Sequence, residues 1–297
     1  MKRKPDLLNP LTSQGTSGGK LYIVGTPIGN LEDITLRAIR TLKEVDLIAC
    51  EDTRRTLQLL KHYGIRTRTM SYHEHNELTR APELVIDMEQ GTSIALVTDA
   101  GMPVISDPGF RLVHLAIRHN IPVVPVPGAS AFVAALAASG IPVDHFRFLG
   151  FLPSKKGARR KSLEDLRNSS KTLIFYEAPH RVAEMLRDVC EILGDREIVI
   201  AREVTKVHEE FLRGSASQVL ERLKKGPVKG ELTVLVGPPV EGNNTALSER
   251  SIKKELDEVM KERSLDERGA LKIVARLHKI SRSEAYRLLQ GERRGKE

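Results

Sequence analysis

Tryptophan is absent, and Phe and Tyr together make up only 4% of the 297 residues. Few rings are therefore on offer for stacking bases across a sheet surface, which favours recognition by shape and backbone charge. Only Cys50 and Cys190 occur, each inside an apolar segment, which excludes a disulfide framework. Two buried thiols suit a reducing, cytoplasmic setting. No apolar run reaches the roughly 18 to 20 residues that span a bilayer. The charged start Met1-Lys2-Arg3-Lys4 continues into polar, Gly-rich residues 12–20 without an apolar signal region, so neither a membrane protein nor a secreted one is expected. Residues 1–20 read as a disordered tail. Metal motifs are missing too: His73 and His75 flank Glu74, but no third ligand lies nearby and a surface turn explains them.

Several motifs are approached and then missed. The apolar run at residues 21–25 leads into Gly25 and Gly29, spaced Gly-x-x-x-Gly rather than the dinucleotide Gly-x-Gly-x-x-Gly, so a nicotinamide fold fails on spacing. Residues 15–20 approach a phosphate loop, yet Gln14 occupies its first glycine position, Leu21 replaces Ser/Thr, and the segment precedes a strand instead of following one. No Gly-x-Ser-x-Gly elbow supports a hydrolase, and Ser130 reads as a helix cap.

The charge that is present is unevenly placed. Of a net +8, much sits in residues 268–297, with nine Lys/Arg against three Glu, and in residues 155–161, with five basic residues and no acid. Arg268, Lys272, Arg276 and Lys279 recur at spacings of four, four and three, hence on one helical face, with Leu271, Ile273, Val274 and Leu277 on the other. Lys155, Lys156, Arg159 and Arg160 form the second basic cluster. Such clusters are ordinarily solvated faces, but two on one chain also suit an anionic polymer.

Strand and helix patterns alternate along residues 21–139, which implies a mostly parallel sheet covered on both faces. Helices are expected at residues 35–44, 52–63, 77–90, 109–119 and 129–139, between strands at 46–50, 67–72, 93–98 and 123–126. Residues 140–150 break this pattern and cross to a second α/β domain, 140–238. In it, residues 196–202 and 208–213 have no helix between them and are expected to pair as a hairpin. Residues 237–244 read as a linker, and residues 247–297 as a small, basic helical domain with helices at 251–261, 266–278 and 281–290.

The densest signal is Asp99-Ala100-Gly101-Met102-Pro103-Val104-Ile105-Ser106-Asp107-Pro108-Gly109, which directly follows an apolar strand. Any α/β protein needs capped turns, but two Gly, two Pro and two Asp in eleven residues exceed what a tight turn requires. Glycine permits close approach, proline fixes φ, and Asp107 is placed to cap the next helix. Ligands in open α/β sheets bind at such strand ends.

Six ordered blocks, residues 24–33, Cys50-Glu51-Asp52-Thr53-Arg54, 99–109, 126–131, Tyr176-Glu177-Ala178-Pro179-His180-Arg181 and 230–234, resemble the tetrapyrrole methylase superfamily. Within it they are similar to the branch that 2′-O-methylates a cytidine ribose in the decoding region of small-subunit ribosomal RNA. The resemblance spans about residues 21–238. It implies a class III methyltransferase architecture: two α/β domains of a homodimer holding S-adenosylmethionine in a cleft. It carries the cofactor to Pro27, Asp99, Ala100, Gly101, Ser130 and Ala131. It also implies 16S ribosomal RNA, on the 30S subunit, as partner.

The implied chemistry is in-line displacement at a sulfonium methyl by a ribose hydroxyl, helped by alignment and by a base. A base or an oriented cation would serve, and Glu51, Asp52 and Arg54 at one strand end and Glu177, His180 and Arg181 in the second domain are the candidates. Glu51, Arg54 and His180 are put first; Arg54 and Arg181 suit RNA phosphate equally well. An ordinary helix start accounts equally for Pro179-His180-Arg181. Two other readings stay open at this point: a small-molecule methylase acting on a corrin precursor, and an RNA-binding module on an inactive scaffold.

Overall fold

The computed structural model describes residues 18–224, 226, 228–239, 252–263, 266–277, 285, 286 and 289. The chain divides into one unit of residues 1–238 and another of residues 239–297. The first unit begins with β1 (Leu21–Val24), α1 (Leu36–Glu44), β2 (Leu47–Cys50), α2 (Thr53–His62) and β3 (Thr69–Ser71). It continues with α3 (Glu77–Glu89), β4 (Ile94–Val97), α4 (Phe110–Arg118), β5 (Val123–Val126) and α5 (Ala131–Ser139). The five strands make one parallel sheet in the order β3-β2-β4-β1-β5.

Both β2 and β4 are buried at every position, which is why they read as unbroken apolar runs and not as alternating ones. Alternate side chains feed two cores. Leu21, Leu47 and Leu96 pack with Leu84, Met88 and Leu112 of α3 and α4, while Val24, Ile48 and Val97 pack with Ala38, Leu42 and Leu60 of α1 and α2. Local chemistry sets the helix starts: the Thr35 hydroxyl accepts the Ala38 N–H at 3.1 Å, and the Asp52 carboxylate accepts that of Arg54 at 2.8 Å. Gly64 then closes α2 with φ of +61°.

The connections leaving β1 and β4 run in opposite directions, β1 across to β2 and β4 across to β5. That reversal opens a crevice beyond the carboxyl ends of these neighbouring strands.

A second sheet is built from β6 (Phe146–Phe151), β7 (Thr172–Glu177), β8 (Glu197–Arg202), β9 (Glu210–Ser215) and β10 (Leu232–Val236). Its order is β6-β7-β10-β8-β9, and only β6 and β7 run parallel. The hairpin expected between the two adjacent strands is present as β8–β9. Helices α6 (Lys156–Glu164), α7 (Val182–Leu193) and α8 (Ala216–Leu223) complete the unit. Ser215 and Gln218 form a reciprocal capping box at the start of α8.

Three local expectations are corrected. Residues 140–150 are not merely a crossing, because Phe146–Phe151 forms edge strand β6. A register shift between Phe148 and Phe151, with Gly150 at φ of +63°, hides its alternation. Asp107 does not cap α4; Gly109 holds the cap position at φ of +135° and no side chain bonds there. Ser130 holds the cap position of α5, yet its hydroxyl makes no capping hydrogen bond.

The second unit contains α9 (Ile252–Arg263) and α10 (Glu267–Leu277), packed through Leu256, Ala270, Leu271 and Val274. Arg268, Lys272 and Arg276 are exposed along α10. Lys279, most of the expected 281–290 helix and residues 1–17 of the expected tail lie outside the described residues. Among the described residues no helix is long and apolar enough to cross a membrane. Cys50 is buried and Cys190 half-buried, and the two form no disulfide.

Candidate functional site

The loops after β4, β1 and β5 converge on one cavity of about 380 Å³. From the first sheet come Ile28, Ala100, Gly101, Met102, Ile105, Ser106, Asp107, Ser130 and Ala131. Strand ends and loops of the second sheet supply the opposite wall, including Phe151, Tyr176, Glu177, Ala178, Pro179, Ala201, Leu232 and Thr233.

Close backbone packing lies beneath the first-sheet wall. A Cβ on Gly25 would lie 2.7 Å from the Gly128 Cα and 2.7 Å from the Met102 sulfur, so only glycine lets the β1 and β5 loops touch. Thr26 and Gly101 exchange backbone hydrogen bonds of 2.9 and 3.1 Å, and the buried Thr26 hydroxyl donates to Thr98 O at 3.1 Å. The loop after β4 is thereby tied to the loop after β1. Its backbone is strained: Val104 and Ser106 adopt φ of +75° and +65°, where a β-branched residue is a true outlier. Each such residue costs on the order of 1–3 kcal/mol and persists only when its surroundings over-determine it. This strained path sets Ile105, Ser106 and Asp107 on the cavity wall.

Acidic groups gather behind and on this wall. The Thr98 hydroxyl donates to Glu51 at 2.9 Å, and Asp99 accepts the Asp52 N–H at 3.1 Å while pairing with Arg55 at 3.1 Å. Burial, then the neighbouring Glu51 charge, raises the Asp99 carboxyl above the usual carboxylate range. Burial, with the Glu51 and Asp99 charges adding to it, pushes Asp107 up to about 6. On the far wall the Glu177 side chain is fully buried, accepts the Ala178 N–H at 2.8 Å and lies 3.2 Å from Arg181 Nε. Arg181 also donates to Leu152 O at 2.8 Å. Glu231, more exposed, pairs with Lys206 at 3.2 Å.

Of the six residues expected at a cofactor, Ala100, Gly101, Ser130 and Ala131 line the cavity. Pro27 and Asp99 do not; Pro27 sits between the bridged Thr26 and the wall residue Ile28, and Asp99 braces β4 against the start of α2. None of the three groups put first for deprotonation lines the cavity. Arg54 is 86% exposed and turned onto Asp52, His180 is exposed, and Glu51 is held by Thr98. For His180 the plain helix-start reading holds, since α7 begins two residues later.

The basic cluster at 155–161 is also divided. Lys155 and Lys156 are exposed, but Arg159 is 2% exposed, 2.7 Å from Asp188 and 3.3 Å from Glu184. Arg160 bonds Asp188 at 2.9 Å and Glu191 at 2.5 Å. Arg159 and Arg160 therefore fasten α6 to α7, and Arg181 fastens Glu177 to the segment after β6; Arg159 is wholly enclosed, whereas Arg160 is engaged through one nitrogen and stays 31% exposed. Residue type and spacing cannot separate an exposed arginine from one meeting carboxylates of a distant helix. Glu177, expected at a strand end of the second domain, does line the cavity. The sequence reading missed Asp107, Tyr176 and Phe151 as wall residues, although Tyr176 lies in the block 176–181.

A parallel sheet with a switch-point crevice, facing a second, mainly antiparallel sheet, defines a two-domain α/β architecture with its main candidate site at the strand ends. The profile of Tetrapyrrole (Corrin/Porphyrin) Methylases matches residues 20–220, and the chain belongs to that family and is a methyltransferase. Its curated relatives narrow the branch. It is 53% identical over 225 residues, 76% of each chain, to a protein of Halalkalibacterium halodurans named ribosomal RNA small subunit methyltransferase I. It is 50% identical over 218 residues to the protein of that name from Thermotoga maritima, covering 73% of this chain and 98% of the relative. Among solved structures, a cobalt precorrin-4 methyltransferase of cobalamin biosynthesis has the same fold, with a TM-score of 0.58 at 17% identity over 77% of this chain and 98% of that one.

Proposed function

We propose that the chain transfers the methyl group of S-adenosylmethionine to the 2′-hydroxyl of a cytidine ribose in the decoding region of 16S ribosomal RNA. The family resemblance further supports action on the assembled 30S subunit in the cytoplasm, by a homodimer. The observation that carries the reading is the cavity at the ends of β4, β1 and β5, in a chain about half identical to relatives with that name.

The wall suits the donor. About 380 Å³ matches a ligand of nucleoside size. Among the described residues the lining contains Asp107, Glu177 and Glu231 but no Lys, Arg or His, which favours a cation. Ala100, Gly101, Ser130 and Ala131 are the residues to hold it, with the uncapped Ser130 hydroxyl free of its helix. Bound there, S-adenosylmethionine supplies an electrophilic methyl carbon for in-line attack by a ribose oxygen. Asp107 takes the place of Glu51 and His180 as the proton acceptor, because it is on the wall and its carboxyl is tuned toward neutrality. The strained loop fixes its position. Lys155 and Lys156, and separately Arg268, Lys272 and Arg276, are the exposed cations assigned to RNA phosphate.

Labelled S-adenosylmethionine incubated with the protein and, separately, undermodified 30S subunits, free 16S ribosomal RNA and tetrapyrrole precursors tests this. Label in cytidine ribose of the 30S subunit is expected, at a rate that falls as pH drops below about 6 and is lost in Asp107→Ala. Label on a macrocycle alone refutes the substrate, and full activity of Asp107→Ala refutes the acceptor.

A further inference from the structure

The scarce rings of this chain are gathered at the site. Four of its seven phenylalanines, Phe132, Phe146, Phe148 and Phe151, form one aromatic array with Tyr176. Phe132 stacks on Phe148 at 4.4 Å, Phe148 meets Tyr176 edge-on at 5.0 Å, and Phe151 lies 5.6 Å from Tyr176. The inner rings close the core under α5. Phe151 does not: it is 57% exposed and lines the cavity.

A regular strand would send Phe151 the other way. Three residues after Phe148, it should face the opposite side of the sheet, since faces alternate with period two. Pairing passes from Phe148 opposite Ile174 to Phe151 opposite Tyr176, so three steps on β6 match two on β7. This bulge, made with Gly150 at φ of +63°, restores Phe151 to the aromatic face. A side chain at Gly150 would also come within 2.9 Å of the Ser106 hydroxyl, which would have to turn aside. The backbone is thus specialised to bring a mostly exposed ring to the cavity mouth, although an exposed Phe contributes little to folding.

We infer that Phe151 is the stacking platform for the base of the nucleotide whose ribose is methylated, so that the substrate pyrimidine is unstacked from its RNA and laid on this ring. The inference rests on the RNA reading of the proposed function. A ribose hydroxyl brought into a cavity this size must leave its helix, and an extruded base is ordinarily held on an aromatic face. Position supports the assignment: Lys155 and Lys156 follow on the same connection and are exposed, placing positive charge for the flanking phosphates.

The test compares Phe151→Ala, Phe151→Leu and Phe151→Tyr in methyl transfer to undermodified 30S subunits, with donor affinity measured by calorimetry. Loss of one base–ring stack raises KM for the subunit by roughly 5- to 150-fold in Phe151→Ala. Phe151→Tyr restores it, Phe151→Leu does not, and donor affinity is unchanged. An oligoribonucleotide of the target sequence, with or without an abasic target position, gives a readout independent of transfer. Removing the base weakens binding to the parent but not to Phe151→Ala.

Equal KM values for Ala, Leu and Tyr variants with normal transfer overturn the platform while leaving the RNA reading intact. Donor affinity falling in step with the ring overturns it too, and assigns the ring to the donor's adenine. A drop in sedimentation mass with KM unchanged overturns it in favour of a second copy covering the ring. Base–ring coupling on the oligoribonucleotide without transfer to RNA keeps Phe151 as a base-stacking ring but refutes the proposed reaction and, with it, the ring's place beside a methylated ribose.

Discussion

Cutting the carboxylate that joins α6 to α7 separates the structural arginines from those available to RNA. Asp188 is 4% exposed in its side chain and accepts from Arg159 Nε at 2.7 Å and Arg160 at 2.9 Å. Asp188→Ala leaves the guanidinium of Arg159, 2% exposed, with only Glu184 at 3.3 Å. Removing one partner of a buried pair costs about 3–5 kcal/mol, because the remaining charge stays out of water without compensation. For a unit of this size each kcal/mol shifts Tm by roughly 2–4 °C, so Asp188→Ala should melt on the order of 10 °C lower. Asp188→Ala together with Arg159→Met should recover part of that loss, since no charge is then stranded. Scanning calorimetry measures both. The companion measurement is RNA affinity against salt: Arg159→Met should leave the slope unchanged, whereas Lys155→Ser with Lys156→Ser should reduce it by roughly 0.9 for each phosphate no longer neutralised. A Tm within about 2 °C of the parent for Asp188→Ala, less than a single kcal/mol would produce, or a shallower salt slope for Arg159→Met, would refute the division of this cluster into anchors and grips.

Gly25→Ala puts a methyl 2.7 Å from the facing backbone of Gly128; donor binding, followed by calorimetry, should fall at least tenfold, and unchanged binding would mean that this packing does not shape the donor site. The Asp107 carboxyl titrates at about 6 when folded against an ordinary 3.8, so its contribution to stability is full below about pH 4 and is lost as pH rises through 6. Asp107→Asn, with no charge to bury, should therefore melt above the parent at pH 8 and equal it near pH 4; a gain independent of pH would contradict the shift. Replacing Arg268, Lys272 and Arg276 of α10 by Ser should lower the salt slope of RNA binding by up to roughly 3 without altering donor affinity, and an unchanged slope assigns this face to solvent.

Much of this was already written in the order of residues. Unbroken apolar strands and amphipathic helices dictate the parallel sheet, because a strand buried on both faces has no polar side to show. The packed Gly, Pro and Asp of residues 99–109 mark the candidate ligand loop, although the strain at Val104 and Ser106 within it was not legible in the sequence. The six ordered blocks identify the family. Tertiary structure decided what spacing cannot encode. It turned Arg159 and Arg160 from apparent phosphate grips into anchors by placing Asp188 beside them, and it left His180 and Arg54 off the cavity wall. It made Asp107 a wall group instead of a helix cap, and it used a bulge to carry Phe151 back to the site. Burial, charge pairing and strand register arise from contacts between distant segments, and these exist only once the chain has folded.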